Sequence, residues 1–249
     1  MAVGVLALVA ITRESDEEDK PQRGSEVERT VVGRGPLAAV VLRRRDAPPQ
    51  RAVIFLHGWR LLGGKAYEAW MLDLARGGVT VIAPRYQERR GTPPETALDN
   101  AVAGVRAALR QTAVASGGVV LVGHSAGATL AVDYAAVAAR QGLPPARAVL
   151  AIYPGSVIRA TSEPIPQLDL SQVPSSVRLT VMASETDEIV GDQPARDIWS
   201  SATSIPLAQR RFVWVRDPIA GDHFAPALDT DAARDSFWRQ LTRLLRLSG

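Results

Sequence analysis

One decapeptide decides the architecture of this chain, Gly118-Val119-Val120-Leu121-Val122-Gly123-His124-Ser125-Ala126-Gly127. Val119–Val122 is a short apolar run rich in β-branched residues, which predicts a strand buried on both faces of a sheet. Thr129–Ala139 contains one charged residue, Asp133, and no Gly or Pro. That composition predicts a helix packed inside the molecule. We therefore expect a buried strand that passes through a tight turn into a buried helix.

The turn at residues 123–127, Gly-His-Ser-Ala-Gly, matches the G-x-S-x-G pattern of a nucleophile elbow. A Ser hydroxyl is a weak nucleophile, and a sharp turn presents it where a base can reach it. Gly123 and Gly127 remove side chains that would collide where strand and helix nearly touch. The first N–H groups of the helix, including that of Ala126, point toward the reacting centre. Ser125 is therefore the candidate nucleophile; the alternative is a purely structural turn.

Composition sets limits on fold and partners. A chain of 249 residues can bury the core of one α/β domain. The formal net charge is +3, and the 29 basic residues, nearly all Arg, are spread along the chain without interleaved aromatics. This favours a solvated surface over a nucleic-acid site. The absence of Cys excludes disulfides, thiol nucleophiles and thiolate metal sites.

The first 26 residues differ from the rest. Ala2–Ile11 is apolar but too short to span a bilayer, and it resembles the apolar part of a signal peptide. It is interpreted as the remnant of an export signal, with weak membrane association, or as a poorly ordered tail. Residues 12–26 are charged and lack core formers, which predicts a disordered tether. We expect a cytoplasmic protein, or an exported or anchored one if Ala2–Ile11 belongs to a signal.

From residue 27 to 249 the pattern predicts a single domain. An antiparallel hairpin is predicted from two β-branched or apolar runs that are separated by Gly and Pro. These runs are Val27–Arg34 and Pro36–Arg45. Further strands are predicted over Arg51–Leu56, Val79–Ala83, Val119–Val122, Arg147–Tyr153, Val177–Ala183 and Arg211–Val215. Helices are predicted over Tyr67–Arg76, Pro94–Thr112, Thr129–Ala139, Gln193–Ser201 and Asp231–Leu247. A hairpin followed by alternating strands and helices indicates one mostly parallel sheet with helices on both faces.

A Ser nucleophile needs a base, and the chain has three His residues. His124 lies inside the turn, where its side chain is expected to point away from the nucleophile. His57 ends a strand. His223 lies in the loop 220–226, between the last strand and the last helix, where a loop can bring an imidazole over Ser125. We expect His223 to be the base; the alternative is a surface His without a role.

The base needs a carboxylate that fixes its tautomer. Asp187 follows the strand Val177–Ala183 by a few residues, so its side chain can turn back toward the site. Glu185, Glu188 and Asp192 are close enough in the sequence to be rivals. Asp187 is preferred, and the others are expected to be solvated loop charges.

A developing oxyanion needs two N–H donors. The N–H of Ala126 is one, and the N–H of Trp59, in the turn after Arg51–Leu56, is the best placed second donor. The Trp59 side chain walls the acyl pocket or packs at the sheet edge. The remaining residues of the two turns are expected to shape them. They are His57, Gly58, Gly123, His124 and Gly127. The three His are scattered and no H-E-x-x-H or Cys pair occurs, so no metal or cofactor is expected.

Together, strand–His-Gly-Trp, Gly-His-Ser-Ala-Gly, the post-strand Asp and the late-loop His resemble the α/β-hydrolase fold superfamily over residues 27–249. The resemblance implies a mainly parallel sheet of about eight strands. It also implies a Ser125–Asp187–His223 triad, with Trp59 and Ala126 at the oxyanion hole. Departing from the lipase pattern, the chain has no HGGG run. The segment between Arg147–Tyr153 and Val177–Ala183 is only roughly twenty residues long, which predicts a minimal cap and an open site.

The expected activity is hydrolysis of the carboxylic ester bonds of small molecules through an acyl-enzyme intermediate. The same triad acting on thioesters or amides is one alternative. A non-catalytic binding protein on this fold is another, because fold does not determine function. Neither a nucleic acid nor a specific protein partner is expected.

Overall fold

The computed structural model describes residues 26–45, 47–88, 91–158 and 162–248. The interpretations of Ala2–Ile11 and of the tether, apart from Glu26, concern residues outside the described part of the chain. Within the described ranges no helix has both the length and the apolar character needed to cross a membrane.

The described chain opens with the antiparallel hairpin that the sequence predicts. Strands β1 (Val27–Val32) and β2 (Ala39–Arg44) pair along their whole length. Between them the chain makes a 3₁₀ turn, Gly35–Leu37. Gly33 and Gly35 have φ values of +81° and +55°, which Gly adopts without the steric strain of other residues. The predicted hairpin is confirmed.

The main sheet has eight strands in the order β1-β2-β4-β3-β5-β6-β9-β10. Besides the hairpin it contains β3 (Gln50–Leu56), β4 (Thr80–Pro84), β5 (Val114–His124), β6 (Ala146–Ile152), β9 (Arg178–Ser184) and β10 (Arg210–Val215). β2 is antiparallel to both of its neighbours, and the other neighbouring pairs are parallel. The predicted mostly parallel sheet is confirmed. Because parallel strands end at one edge, the loops after β3, β5, β6, β9 and β10 meet there.

Helices cover both faces of this sheet, as predicted. They are α1 (Glu68–Arg76), α2 (Ala97–Gln111), α3 (Ala126–Val137), α4 (Gln193–Ser201), α5 (Asp231–Ala233) and α6 (Arg239–Leu247). Further 3₁₀ turns cover Leu62–Tyr67, Pro94–Thr96, Leu170–Gln172, Leu207–Gln209 and Ala225–Ala227. Side chains alternate across β3. Ile54 belongs to the apolar cluster that includes residues of α2 and α3, and Phe55 to the cluster that includes residues of α1 and α6.

The closing helix, predicted over Asp231–Leu247, contains a π-helical turn. This turn covers Arg234–Trp238 between α5 and α6. The predicted apolar face is buried at Phe237, Trp238, Leu241, Leu244 and Leu245. Trp238 stacks on Trp70 of α1 with ring centroids 5.7 Å apart. Apolar periodicity locates the helix but does not indicate the π turn, which ends at the residue that packs against α1.

The segment between β6 and β9 is short and is held against α3. It contains a two-stranded hairpin, β7 (Val157–Ile158) and β8 (Glu163–Pro164). The Thr129 hydroxyl donates to the Gly155 carbonyl at 2.8 Å. One turn further along α3, Asp133 Oδ1 accepts from the Leu168 N–H at 3.0 Å. Polar side chains on one stripe of the helix thus position the segment that borders the candidate site.

Asp133 is predicted to make stability depend on pH. Burial raises the pKa of Asp133 to about 7, although the hydrogen bond from Leu168 N–H lowers it. Since the folded-state pKa lies above the unfolded value, ionisation opposes folding, and this penalty grows from about pH 4 to neutrality. Asp133→Asn keeps an acceptor for Leu168 and removes the charge. We compare the free energies of unfolding of Asp133→Asn and wild type. The variant's value minus the wild-type value should increase by up to about 4 kcal/mol between pH 4 and pH 8.

Urea unfolding of both proteins at these two pH values measures this difference. Asp73→Asn, which changes an exposed carboxylate in α1, is the matched control and should keep a constant difference from wild type. If the difference in free energy of unfolding between Asp133→Asn and wild type is the same at both pH values, burial of Asp133 does not oppose its ionisation.

Candidate active site

Ser125 occupies the turn between β5 and α3. Its φ is +56° and its ψ is −126°, a conformation that is strained for a residue with a side chain. A Cβ on Gly123 would overlap the Gly127 carbonyl, and one on Gly127 would overlap the carbonyl oxygens of Leu56 and His57. Both Gly residues are therefore required by the close approach of β3, β5 and α3. The Ser125 hydroxyl is presented, half-buried, at the carboxyl edge of the sheet.

His223 lies between Ser125 and Asp187. Its Nε2 is 3.2 Å from Ser125 Oγ, and its Nδ1 is 2.8 Å from Asp187 Oδ2. The side chains of His223 and Asp187 are 5% and 0% exposed. Because a carboxylate only accepts hydrogen bonds, Nδ1–H donates to Asp187 and Nε2 is left to accept from the Ser125 hydroxyl. All three residues predicted as the triad are brought together.

Asp187 is distinguished from the three rival acids by its position. Its Oδ1 accepts from the N–H groups of Ile189 and Val190 at 2.9 and 3.1 Å, so Oδ2 is held toward His223. Glu185 and Glu188 are exposed. Asp192 forms an ion pair with Arg196 at 2.6 Å. The tight turn after β9 thus turns one carboxylate inward and leaves its neighbours at the surface.

The loop that carries His223 is ordered by its own Asp residues. Asp217 Oδ1 accepts from the N–H groups of Ile219 and Ala220 at 2.9 and 2.8 Å. Asp222 Oδ1 accepts from Phe224 N–H at 2.8 Å. From the sheet, the Tyr153 hydroxyl donates to the Ala220 carbonyl at 2.7 Å. These contacts fix the direction in which the loop presents its imidazole.

In the turn after β3, the backbone donors on either side of Trp59 are engaged. Gly58 N–H donates to the Tyr67 hydroxyl, Arg60 N–H to Gln87 Oε1 and Leu61 N–H to the Gly58 carbonyl, each at 3.1 Å. Among the described residues, Trp59 N–H has no hydrogen-bond partner. The turn lies beside the start of α3, because Gly127 contacts the carbonyls of Leu56 and His57.

The space next to the Ser125 hydroxyl is bordered by Gly155, which the sequence analysis did not single out. A Cβ on Gly155 would lie 3.4 Å from Ser125 Oγ and 3.5 Å from Ala126 N. Gly155 N–H donates to the Ser125 carbonyl at 3.1 Å. The sequence did hold a signal for this residue. Pro154 and Gly155 directly follow the predicted strand Arg147–Tyr153, at the same edge of the sheet as Ser125.

A small apolar cluster packs against Ala126. Ile158 of β7 and Ile165, just after β8, are buried against Ala126, and Trp59 packs on this cluster. We call these three side chains, Trp59, Ile158 and Ile165, the apolar wall. Phe224 is 48% exposed, and its ring is nearly perpendicular to that of His223, with centroids 5.3 Å apart.

The other two His residues do not contact the Ser125 hydroxyl. His57 stacks on Tyr86 at 4.3 Å and lies between the carbonyls of Gly58 and Arg85. Burial lowers the pKa of His57 to about 4, which the two carbonyls oppose. Its position agrees with the expected support of the turn. Among the described residues, no group of His, Cys, Asp and Glu has an arrangement suited to a metal ion.

His124 has a closer relation to the site than the sequence analysis expected. Its ring centroid lies 4.8 Å from that of His223, and its Nδ1 lies 2.6 Å from the Tyr67 hydroxyl. Burial lowers the pKa of His124 well below its usual value, and His223 lowers it further. Tyr67 had no signal in the sequence beyond being the first residue of the predicted helix Tyr67–Arg76.

Solved structures share this fold at low sequence identity. Carboxyl esterase 2 from the fungus Tuber melanosporum is 14% identical, with a TM-score of 0.65 over 92% of this chain and 87% of that one. An esterase from Rhizomucor miehei is 16% identical, with a TM-score of 0.67 over 89% and 83%. MGS-M1, an α/β hydrolase from a Medee basin deep-sea metagenome library, is 15% identical, with a TM-score of 0.67 over 89% and 99%. These likenesses concern the fold alone.

No match was found among curated protein sequences. The sequence profile of the α/β hydrolase fold matches residues 53–217. This range is more than half of the chain and runs from β3 to the start of the loop that carries His223. The chain belongs to the α/β hydrolase fold family.

Proposed function

We propose that this protein is a serine hydrolase that cleaves carboxylic ester bonds of small molecules. The observation that carries the proposal is the continuous hydrogen-bonded line from Asp187 through His223 to Ser125, with contacts of 2.8 and 3.2 Å. A nucleophile, a base and an orienting carboxylate in this order are the requirements of acyl transfer by Ser. The esterases among the solved structures of this fold agree with this activity.

In the first half of the reaction, Ser125 Oγ attacks the acyl carbon while His223 Nε2 takes the hydroxyl proton. Asp187 holds the imidazole in the tautomer that leaves Nε2 free and stabilises the imidazolium that forms. The developing oxyanion accepts from the N–H groups of Ala126 and Trp59. His223 then protonates the leaving alcohol oxygen, and the C–O bond breaks to leave an acyl-Ser125 ester.

In the second half, His223 takes a proton from water, and the hydroxide attacks the acyl carbon. The same two N–H groups stabilise the second oxyanion. When the tetrahedral intermediate collapses, the proton on His223 returns to Ser125 Oγ and the carboxylic acid leaves. Trp59 N–H has no partner among the described residues, which supports its place in this scheme, since the N–H groups of Gly58, Arg60 and Leu61 are engaged.

Hydrolysis of p-nitrophenyl esters, together with labelling by an organophosphonate, tests this proposal. Phosphonates form a stable bond with an activated Ser, and mass spectrometry of the digested protein identifies the modified residue. We expect turnover of short esters and a label on Ser125. A protein that neither hydrolyses these esters nor accepts the label would favour a non-catalytic binding protein on this fold.

The apolar wall is predicted to limit the acyl chain that the site accepts. Ile158 and Ile165 are each 5% exposed and fill the space beside Ala126. Ile158→Ala opens this space, so we expect kcat/KM for octanoate esters to rise about tenfold relative to acetate esters. The ratio of these two constants is the measurement, because a general loss of activity leaves it unchanged.

Val157→Ala provides the matched control for Ile158→Ala. Val157 is the neighbouring residue in β7 and is 48% exposed, so its side chain points away from the wall. The ratio of octanoate to acetate hydrolysis should stay within about twofold of wild type. An unchanged ratio for Ile158→Ala would mean that the acyl chain binds elsewhere.

A further inference from the structure

Tyr67 connects the two turns of the candidate site. Its side chain is 1% exposed and ends in a hydroxyl that lies 2.6 Å from His124 Nδ1. The same hydroxyl oxygen accepts from Gly58 N–H at 3.1 Å. One phenol thus contacts the residue before Trp59 and the residue before Ser125.

The direction of these hydrogen bonds follows from the donors. Gly58 N–H can only donate, so the Tyr67 oxygen accepts from it. The hydroxyl proton then has an acceptor in an unprotonated His124 Nδ1, whereas a protonated Nδ1 would leave the buried hydroxyl proton without one. This requires a neutral His124 with Nδ1 unprotonated. Complete burial agrees with a neutral ring, since it lowers the pKa of His124 well below its usual value.

The turn after β3 rests directly on this pair. A Cβ on Gly58 would lie 3.2 Å from His124 Nδ1 and 3.4 Å from the Tyr67 hydroxyl oxygen. The ring of His124 also contacts the ring of His223, with centroids 4.8 Å apart. Displacement of the Tyr67–His124 pair would therefore move the turn that carries Trp59.

We propose that Tyr67 and His124 are positioning residues that hold the Gly58–Trp59 turn in place, so that Trp59 N–H faces the oxyanion. In the proposed mechanism neither side chain bonds to the substrate or transfers a proton, although the His124 ring packs against that of His223. The inference rests on the proposed hydrolase function and extends it to a buried pair beneath the site. Its consequence is that the pair stabilises the transition state with little effect on ground-state binding.

Tyr67→Phe tests the proposal because it removes only the hydroxyl and keeps the ring next to Phe55 and His124. We expect kcat to fall roughly 10- to 100-fold with KM within about twofold of wild type, which is the signature of a lost transition-state contact. The rate of phosphonate labelling should fall by a similar factor. The concentration of active sites is measured by letting the phosphonate reaction go to completion. Each rate is divided by this concentration, so misfolded protein does not contribute.

Two substitutions at His124 separate positioning from packing. His124→Asn keeps an oxygen acceptor near the position of Nδ1 and should retain most of kcat. His124→Leu removes the acceptor and should lower kcat as Tyr67→Phe does. Because the two residues act as a unit, the double variant Tyr67→Phe/His124→Leu should be little slower than either single variant.

Tyr134→Phe is the matched control. It also removes a fully buried Tyr hydroxyl, one without a hydrogen-bond partner among the described residues, and should leave kcat and KM unchanged. If wild type is active and Tyr67→Phe keeps its kcat, the inference is overturned while the proposed function stands. If wild type has no activity and no phosphonate label, the proposed function fails first and the inference falls with it.

Discussion

Ser125→Ala is expected to reduce kcat/KM for p-nitrophenyl esters by about 10⁴-fold or more. The substitution removes the nucleophilic oxygen, so no acyl-enzyme can form, while the oxyanion donors remain. What activity is left would come from binding and from the N–H groups of Ala126 and Trp59. Steady-state hydrolysis and phosphonate labelling provide two independent measurements, and both should fall to background.

The fold should tolerate this change, because Ser125 Oγ contacts His223 and contributes no other hydrogen bond among the described residues. The strained φ of +56° remains in the variant, so a small change in melting temperature is expected. His223→Ala should be equally inactive, since the three residues act as a unit. Substantial esterase activity in Ser125→Ala would mean that another residue carries the reaction.

Asp187→Asn is expected to lower kcat by roughly 10⁴-fold while the protein stays folded. The Asn carbonyl oxygen can keep the hydrogen bonds from Ile189 and Val190 N–H, which fixes its amide NH₂ toward His223. That NH₂ can only donate, so Nδ1 must accept and the ring proton moves to Nε2. His223 would then hold the tautomer that cannot take the Ser125 proton. The measurement is kcat for a short ester.

Asp192→Asn serves as the matched control for Asp187→Asn. Asp192 is five residues further along the same loop and pairs with Arg196 at the surface, so its loss should leave kcat unchanged. Comparable losses in the two variants would indicate a general effect of charge in this loop. A normal kcat in Asp187→Asn would show that another group orients His223.

Much of the fold could be predicted because its signals are local. Each strand and helix carries its own apolar period, and the alternation of the two types indicates a parallel sheet between helix layers. The turn at residues 123–127 also has a local signal in its two Gly residues, although the structure shows that Gly127 is required by the carbonyls at the end of β3. Segments such as Gln193–Ser201 were therefore predicted with the observed bounds.

The π turn at Arg234–Trp238 and the short hairpin β7–β8 could not be predicted in the same way. Both lie where the chain contacts distant residues: Trp70 stacks on Trp238 of the π turn, and α3 binds the segment next to the hairpin. The apolar periodicity of a segment predicts its secondary structure. It does not indicate which other segment of the chain packs against it. The same limit applies to Gly155, whose role depends on the position of Ser125.

For the candidate site, the sequence alone determined the residue types and their order: a Ser in a tight turn, an acid after β9 and a His in a late loop. The sequence favoured Asp187 but left three rival acids open, and only the tertiary structure decided which carboxylate is buried against His223. It also decided that Tyr67 lies beneath two turns that are far apart in the chain. The physical reason is that local periodicity specifies elements, whereas hydrogen bonds between loops depend on how the whole sheet brings their ends together.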